Sequence, residues 1–287
     1  MNTKSWMGTA DTYARMRAIE RLDLDGEYWQ IARLFLADFQ SLMITQVYQG
    51  FLMTFAVPRM SRILAGTGEI QQRTAKRAID TAILTRAVFL DGVNAGLGRE
   101  AASRVNAMHR RFPIDPEDFI AVGVDGALTQ IRLAESYGWR PVLSKEKEAV
   151  RRCFARITKA YGGPSSFPDS GHAMEEFWST YRSGHFEFEP QNGDLAGAIT
   201  AWFSQLVPAP ARPLLRVLLR GTTDTDILRA VGMRPPTDPE RRVASILMRR
   251  VIGSRDPLPD GAPDPLDPLI RTVYPNGYRI QDLGTFN

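Results

Sequence analysis

Three histidines and one cysteine are the scarce reactive side chains of this 287-residue chain. His109 closes the run Ser103-Arg104-Val105-Asn106-Ala107-Met108-His109. Ala101, Val105, Met108 and Phe112 recur at spacings of three and four, the apolar stripe of a helix over residues 95–111. His109 lies on or beside that stripe, flanked by Arg104 and Asn106. An imidazole in such a place is either a hydrogen-bonded core group or a ligand. His172 stands near Glu175 and Glu176, a set that reads as a solvated helix start. His185, in Gly184-His185-Phe186-Glu187, reads as an exposed loop residue. Cys153 falls on a helical pattern and reads as a small core residue. One cysteine allows no intrachain disulfide, and so few thiols and imidazoles argue against structural zinc.

Other chemistries lack their motifs. No Gly-x-Ser-x-Gly offers a hydrolase elbow. No Glu-x-x-His marks a di-iron bundle. Gly66-Thr67-Gly68 lacks the Gly-Lys-Ser/Thr of a phosphate loop and reads as a helix stop. The remaining chemical option, beside the commoner reading of a satisfied core histidine, is a cofactor held by one imidazole in an apolar helical pocket. Haem meets that description, with arginines free to pair its propionates. On residues 69–90, Arg77 and Asp80 are three apart and are expected to pair on the helix surface, with Thr81 beside them.

The elements that must position these groups are helical throughout. Pro113 ends the first helix; Asp115 caps the next, with Pro116 in its first turn and Glu117 and Asp118 against its positive end. That helix stops at Gly138, so His109 sits near the corner of two antiparallel or angled helices. Residues 28–57 are the most apolar long stretch, long enough to span a bilayer. Asp38, Gln40, Gln46 and Gln49 interrupt it. One Asp at mid-depth costs about 2.5–3.5 kcal/mol, so a central buried helix is expected instead. Residues 10–22 read as a short amphipathic helix with Arg15, Arg17, Glu20 and Arg21 outward. The segment after Asp256 is rich in proline and aspartate, and the aromatic tail with Tyr274, Tyr278 and Phe286 is expected to dock on the body. No strand alternation and no βαβ rhythm appear. The fold class is therefore all-α, a single large orthogonal multi-helix domain.

Composition is that of an ordinary globular protein, 44% hydrophobic and 24% charged. The net charge of +4 is too small, and its arginines too scattered, for nucleic acid. A peripheral contact with anionic membranes stays open. No signal-peptide pattern opens the chain, which points to a cytoplasmic protein with membrane association as an addition.

Several stretches, taken in order, resemble a known family. They are Ala56-Val57-Pro58 to Gly66-Thr67-Gly68, Arg77-x-x-Asp80-Thr81, and Ser103 to His109. Ile114-x-x-x-Asp118, Tyr137-Gly138-Trp139-Arg140-Pro141 with residues 146–149, and Tyr274-Pro275-x-Gly277-Tyr278 with Leu283-Gly284 follow. The set is similar to the catalytic domain of the MpaB-type oxygenases, which join a fungal oxygenase to the bacterial latex clearing protein, and looks nearer to the fungal branch. The resemblance covers roughly residues 30–285, leaving residues 1–29 as an N-terminal helical extension. It implies an all-α fold, haem b, and oxidative cleavage of a C=C bond of an apolar, isoprenoid-type substrate by dioxygen. On it, His109 would be the axial metal ligand or a distal polar group, with Arg104 and Asn106 beside it as catalytic residues. Arg77 and Arg104 would meet propionates or steer oxygen, and Asp80 and Thr81 would hold them in place. The apolar residues 34–57 would line the substrate channel. Many bacterial relatives carry a histidine at about Gly123, which the rubber oxygenase uses as its proximal ligand, and this chain has none there. That loss keeps a second reading open: a non-catalytic lipid- or terpenoid-binding protein on the same scaffold. A third is a different metal held by His109 with carboxylates.

Overall fold

Residues 116–137 show how local signals place the scaffold. The Asp115 carboxylate accepts a hydrogen bond from the Glu117 backbone N–H at 2.9 Å, Pro116 occupies the first turn, and Gly138 ends the helix in extended conformation. The structure is a computed structural model and describes residues 4–285. In chain order its α-helices are α1 (Ala14–Arg21), α2 (Leu24–Asp38), α3 (Met43–Phe55), α4 (Pro58–Thr67), α5 (Glu69–Gln72), α6 (Thr74–Asp91), α7 (Gly96–His109) and α8 (Pro116–Tyr137). After these come α9 (Ser144–Ala160), α10 (Gly171–His185), α11 (Pro190–Gln205), α12 (Arg212–Thr222), α13 (Thr225–Ala230), α14 (Asp238–Leu247) and α15 (Asp267–Val273). A π-helical turn, Met248–Ile252, continues α14. Among the described residues the only β pairing is one bridge between Trp6 and Thr9, so the all-α expectation holds. None of the described helices is long and apolar enough to cross a membrane.

Two apolar clusters make the core. The larger unites α2, α3, α8, α9, α10 and α11 around Phe35, Phe39, Leu52, Phe55, Val124, Cys153 and Tyr181. The smaller lies between α6, α7 and the tail, with Ile79, Ile83, Val88, Ala101, Val105, Ile280 and Leu283. Phe89 and Trp202 pack against both. The α6–α7 corner is close because Gly98 has no side chain: a β-carbon there would lie 2.0 Å from the Gly92 carbonyl oxygen.

The long apolar stretch is not one helix. It breaks after Asp38, and α3 resumes at Met43. The cause is tertiary. Arg140 donates to Asp38 at 2.7 and 2.8 Å and to Glu146 at 2.6 and 3.1 Å. All three side chains are fully enclosed. Trp139 Nε1 also donates to the Asp38 backbone carbonyl at 2.8 Å. Arg15, expected outward, points in instead. It reaches Asp38 at 3.5 Å and donates to the Leu258 carbonyl at 2.9 Å. At the start of α9, Leu143 is the cap residue, its N–H held by Glu146 at 2.7 Å. The conspicuous Tyr-Gly-Trp-Arg-Pro stretch thus serves as scaffold: Arg140 ties the end of α2 to the start of α9. Asp118 plays a similar part, bound by Arg59 at 2.6–3.0 Å and by the Tyr181 hydroxyl at 2.5 Å.

Candidate functional site

His109 is the last residue of α7, and the carboxyl end of α9 comes to meet it. Its Nδ1 lies 3.0 Å from the Tyr161 carbonyl oxygen. A carbonyl only accepts, so Nδ1 carries the proton and Nε2 keeps its lone pair. Burial, and the positive charge of Arg77, hold the imidazole below its ordinary pKa, so the ring is neutral at physiological pH. Phe119 meets the ring edge-on with centroids 5.3 Å apart. Nε2 has no hydrogen-bond partner among the described residues, nor is it among the sealed interior atoms. Histidine takes this form when it ligates a metal: one nitrogen donates to a carbonyl and the other is left open. The bland role is served by the same bond, since it satisfies a last carbonyl of α9. Asn106 does this for the neighbouring turn, donating to the Ala160 carbonyl at 3.2 Å.

Arg77 is the second half of the site. It does not pair with Asp80 as expected. Its guanidinium donates to the Thr81 hydroxyl and forms no ion pair among the described residues. Desolvation lowers its pKa, and Asp80 and Glu69 only partly offset this from a distance. A guanidinium in a poorly solvated place, without a carboxylate of its own, is suited to an anionic ligand group. Thr81 completes the arrangement by donating to the Arg77 carbonyl at 2.9 Å. Thr85, one turn further along α6, bonds the Tyr161 hydroxyl, whose pKa burial pushes up. Arg77, Thr81 and Thr85 thus line one face of α6 toward the α7–α9 corner.

Asp80 and Arg104 do a different job. Asp80 is buried and accepts from Lys76 Nζ at 2.6 Å, from the Gly284 N–H at 2.8 Å and from the Tyr274 hydroxyl. Arg104 Nε donates to the Leu283 carbonyl at 2.8 Å. Both fasten the carboxyl-terminal tail, which docks as expected; Phe286 lies outside the described residues. The structure therefore groups His109, Asn106, Arg77 and Thr81, and turns Asp80 and Arg104 toward the tail.

Position 123 is closed. A β-carbon on Gly123 would lie 2.2 Å from Thr158 Oγ1 and 2.9 Å from the Phe167 ring. The place where the resemblance implies a ligand in bacterial relatives is filled here by α9 and the loop after it. Its neighbour Val122 is 42% exposed in mid-helix.

The remaining candidates resolve simply. His172 is exposed and 3.3 Å from Glu176. His185 is not a free loop residue: it ends α10, half-buried, 3.0 Å from Glu117 Oε2. Cys153 is fully buried, and desolvation pushes its thiol well above the usual range, which makes it inert. Among the described residues no three His, Cys, Asp or Glu side chains cluster to hold a metal, so a carboxylate-rich site around His109 has no support in the geometry. Sequence reasoning missed Tyr161 and Thr85. Thr85 extends the four-residue spacing of Arg77 and Thr81; Tyr161 carried no signal beyond the Gly162-Gly163 that follows it.

The scaffold is all-helical, and a neutral imidazole with an open Nε2 lies near a guanidinium that has no carboxylate partner among the described residues. Residues 33–253 match the family model described as "ER-bound oxygenase mpaB/B'/Rubber oxygenase, catalytic domain". The chain belongs to this family, whose enzymes are of the oxygenase type. No curated protein sequence matches the chain.

Proposed function

We propose that this protein is a haem-dependent oxygenase that cleaves a C=C bond of an apolar, isoprenoid-type substrate with dioxygen, yielding two carbonyl fragments. The observation that carries it is the pairing of His109, neutral with Nε2 open, with Arg77, desolvated and without a carboxylate. In this reading His109 would hold the iron of haem b and Arg77 would pair with a propionate. Bound haem supplies the redox chemistry with dioxygen. The chain's own work is positional. The Tyr161 carbonyl fixes the tautomer and tilt of His109. Thr81 orients the Arg77 guanidinium. Phe51 and Phe55 of α3 are packed in the larger core, so the substrate-channel role of residues 34–57 rests on the family resemblance alone. Gly123 supplies no ligand, and in this reading His109 would hold the iron.

The test is an absorption spectrum of the purified protein after loading with haem. A Soret band that His109→Ala removes or shifts supports the reading. A loaded wild type without that band, or identical spectra for wild type and His109→Ala, overturns it. The closure around Gly123 favours a second reading, a binding protein for lipids or terpenoids without oxygen chemistry. An apolar ligand that co-purifies with iron-free protein selects it.

A further inference from the structure

Helices α12 and α14 form a close pair far along the chain from His109. A β-carbon on Gly221 would lie 2.4 Å from the Ala244 Cβ, so the end of α12 rests on the start of α14. Leu218, Leu219, Ala244 and Met248 are buried. The outer face is also apolar: Leu214 is 47%, Val243 40%, Ile246 60% and Val251 47% exposed. These are four of the thirteen large hydrophobic side chains exposed among the described residues, so the face is a concentration and not scatter. Arg242 and Arg250 are exposed beside it and form no ion pair among the described residues; Arg216 and Arg249 are exposed as well, with their Nε donating to Ser204 Oγ at 3.3 Å and to the Ser136 carbonyl at 3.1 Å. On α14, Ile246 is four residues from Arg242 and three from Val243, so both kinds of residue share one face, and Arg250 and Val251 follow on the π-helical turn.

The charge is localised too. Residues 212–255 hold ten arginines against four carboxylates, while the whole chain has a net charge of only +4. Three of these four carboxylates are engaged, Glu240 by Arg220 and Arg234, Asp224 by Arg182, and Asp226 by Arg229, while Asp238 is exposed at the start of α14 with no ion pair among the described residues. Arg242 and Arg250 are left exposed without a carboxylate partner among the described residues.

We propose that this basic, apolar face docks the protein on a bilayer surface rich in anionic headgroups. The aliphatic side chains enter the headgroup–acyl boundary, and the flanking guanidinium groups pair with lipid phosphates and carboxylates. A second copy of the chain is a poorer occupant, because a two-fold contact would press the same arginines against one another. Helix α12 also packs on α3, which exposes Ile44 (47%) and Val47 (38%), so docking holds that greasy helix near the lipid.

The experiment is flotation of the full chain with vesicles of phosphatidylcholine alone, or with about a third phosphatidylserine, at about 0.1 M and about 0.5 M salt. Binding to the anionic vesicles only, weakened by salt, is expected. Arg242→Gln with Arg250→Gln lowers the affinity by about 25-fold, at about fivefold per arginine. Ile246→Asp lowers it by about tenfold. Both variants change exposed side chains, and circular dichroism with light scattering of each confirms a folded monomer. Equal binding to neutral and anionic vesicles, no binding to either, or a wild-type dimer that Ile246→Asp dissociates overturns the proposal. Haem content does not enter this readout, so it stands or falls apart from the oxygenase reading.

Discussion

Asp125 offers a sharp test of the buried electrostatics around α8. Its side chain is 7% exposed, and its one hydrogen bond comes from the Thr129 hydroxyl at a long 3.4 Å. Burial raises its pKa from the ordinary 3.8 to about 7, opposed weakly by Thr129 and Arg132. The neutral acid is therefore the form the folded protein prefers. At low pH both folded and unfolded chains hold the proton, and Asp125 costs nothing. As pH rises, the unfolded chain releases its proton first, and stability falls until the folded carboxyl also ionises near pH 7. At about 1.36 kcal/mol per pKa unit, the loss reaches roughly 4 kcal/mol as an upper bound. Asp125→Asn keeps the shape and removes the charge. Asp256, which burial raises to about 6, titrates alike in both proteins and cancels in the difference. Urea unfolding of wild type and variant side by side is the assay. Any offset between the two at low pH is constant, whereas the stability of the variant relative to wild type should grow by roughly 3 kcal/mol between about pH 5 and about pH 8. A difference that stays flat across that window refutes the reasoning, for it means the carboxylate is solvated.

Three further outcomes are expected. Gly123→Ala places a methyl against Thr158 and Phe167 and should cost about 1–3 kcal/mol in urea unfolding; unchanged stability would show that the site has room for a side chain. Arg140→Met strands Asp38 and Glu146 in the interior and should cost about 3–5 kcal/mol, and a variant as stable as wild type would deny the ionic knot its role. Arg77→Met removes a desolvated charge, so thermal stability should hold or rise while haem retention falls; a large loss of stability with haem retained would make Arg77 a scaffold residue.

Much of the matched family pattern turns out to be architecture. Arg140, Asp118 and Asp80 each sit in buried polar contacts that join elements distant in the chain. Removing such a group harms the fold whether or not it serves chemistry, so loss of activity in these variants says little without a stability measurement. His109 and Arg77 are different, because each keeps an open valence or an unneutralised charge.

The sequence alone determined what is set by neighbours within a turn or two. The Asp115-Pro116 start of α8, its stop at Gly138 and the apolar stripe of α7 ending at His109 follow from spacing and capping, and the structure has them; that His109 meets the end of α9, and that α7 packs on α9 rather than on α8, does not. The helical class followed for the same reason. Tertiary structure alone decided the break after Asp38, the inward turn of Arg15 and the capture of the tail by Asp80. Arg140 lies 102 residues from Asp38, and Gly284 lies 204 from Asp80. No periodicity encodes such distances. It also decided that Arg77 would bond Thr81 and leave Asp80 to Lys76, because two cationic partners at similar spacing from one carboxylate are separated only by what packs above them.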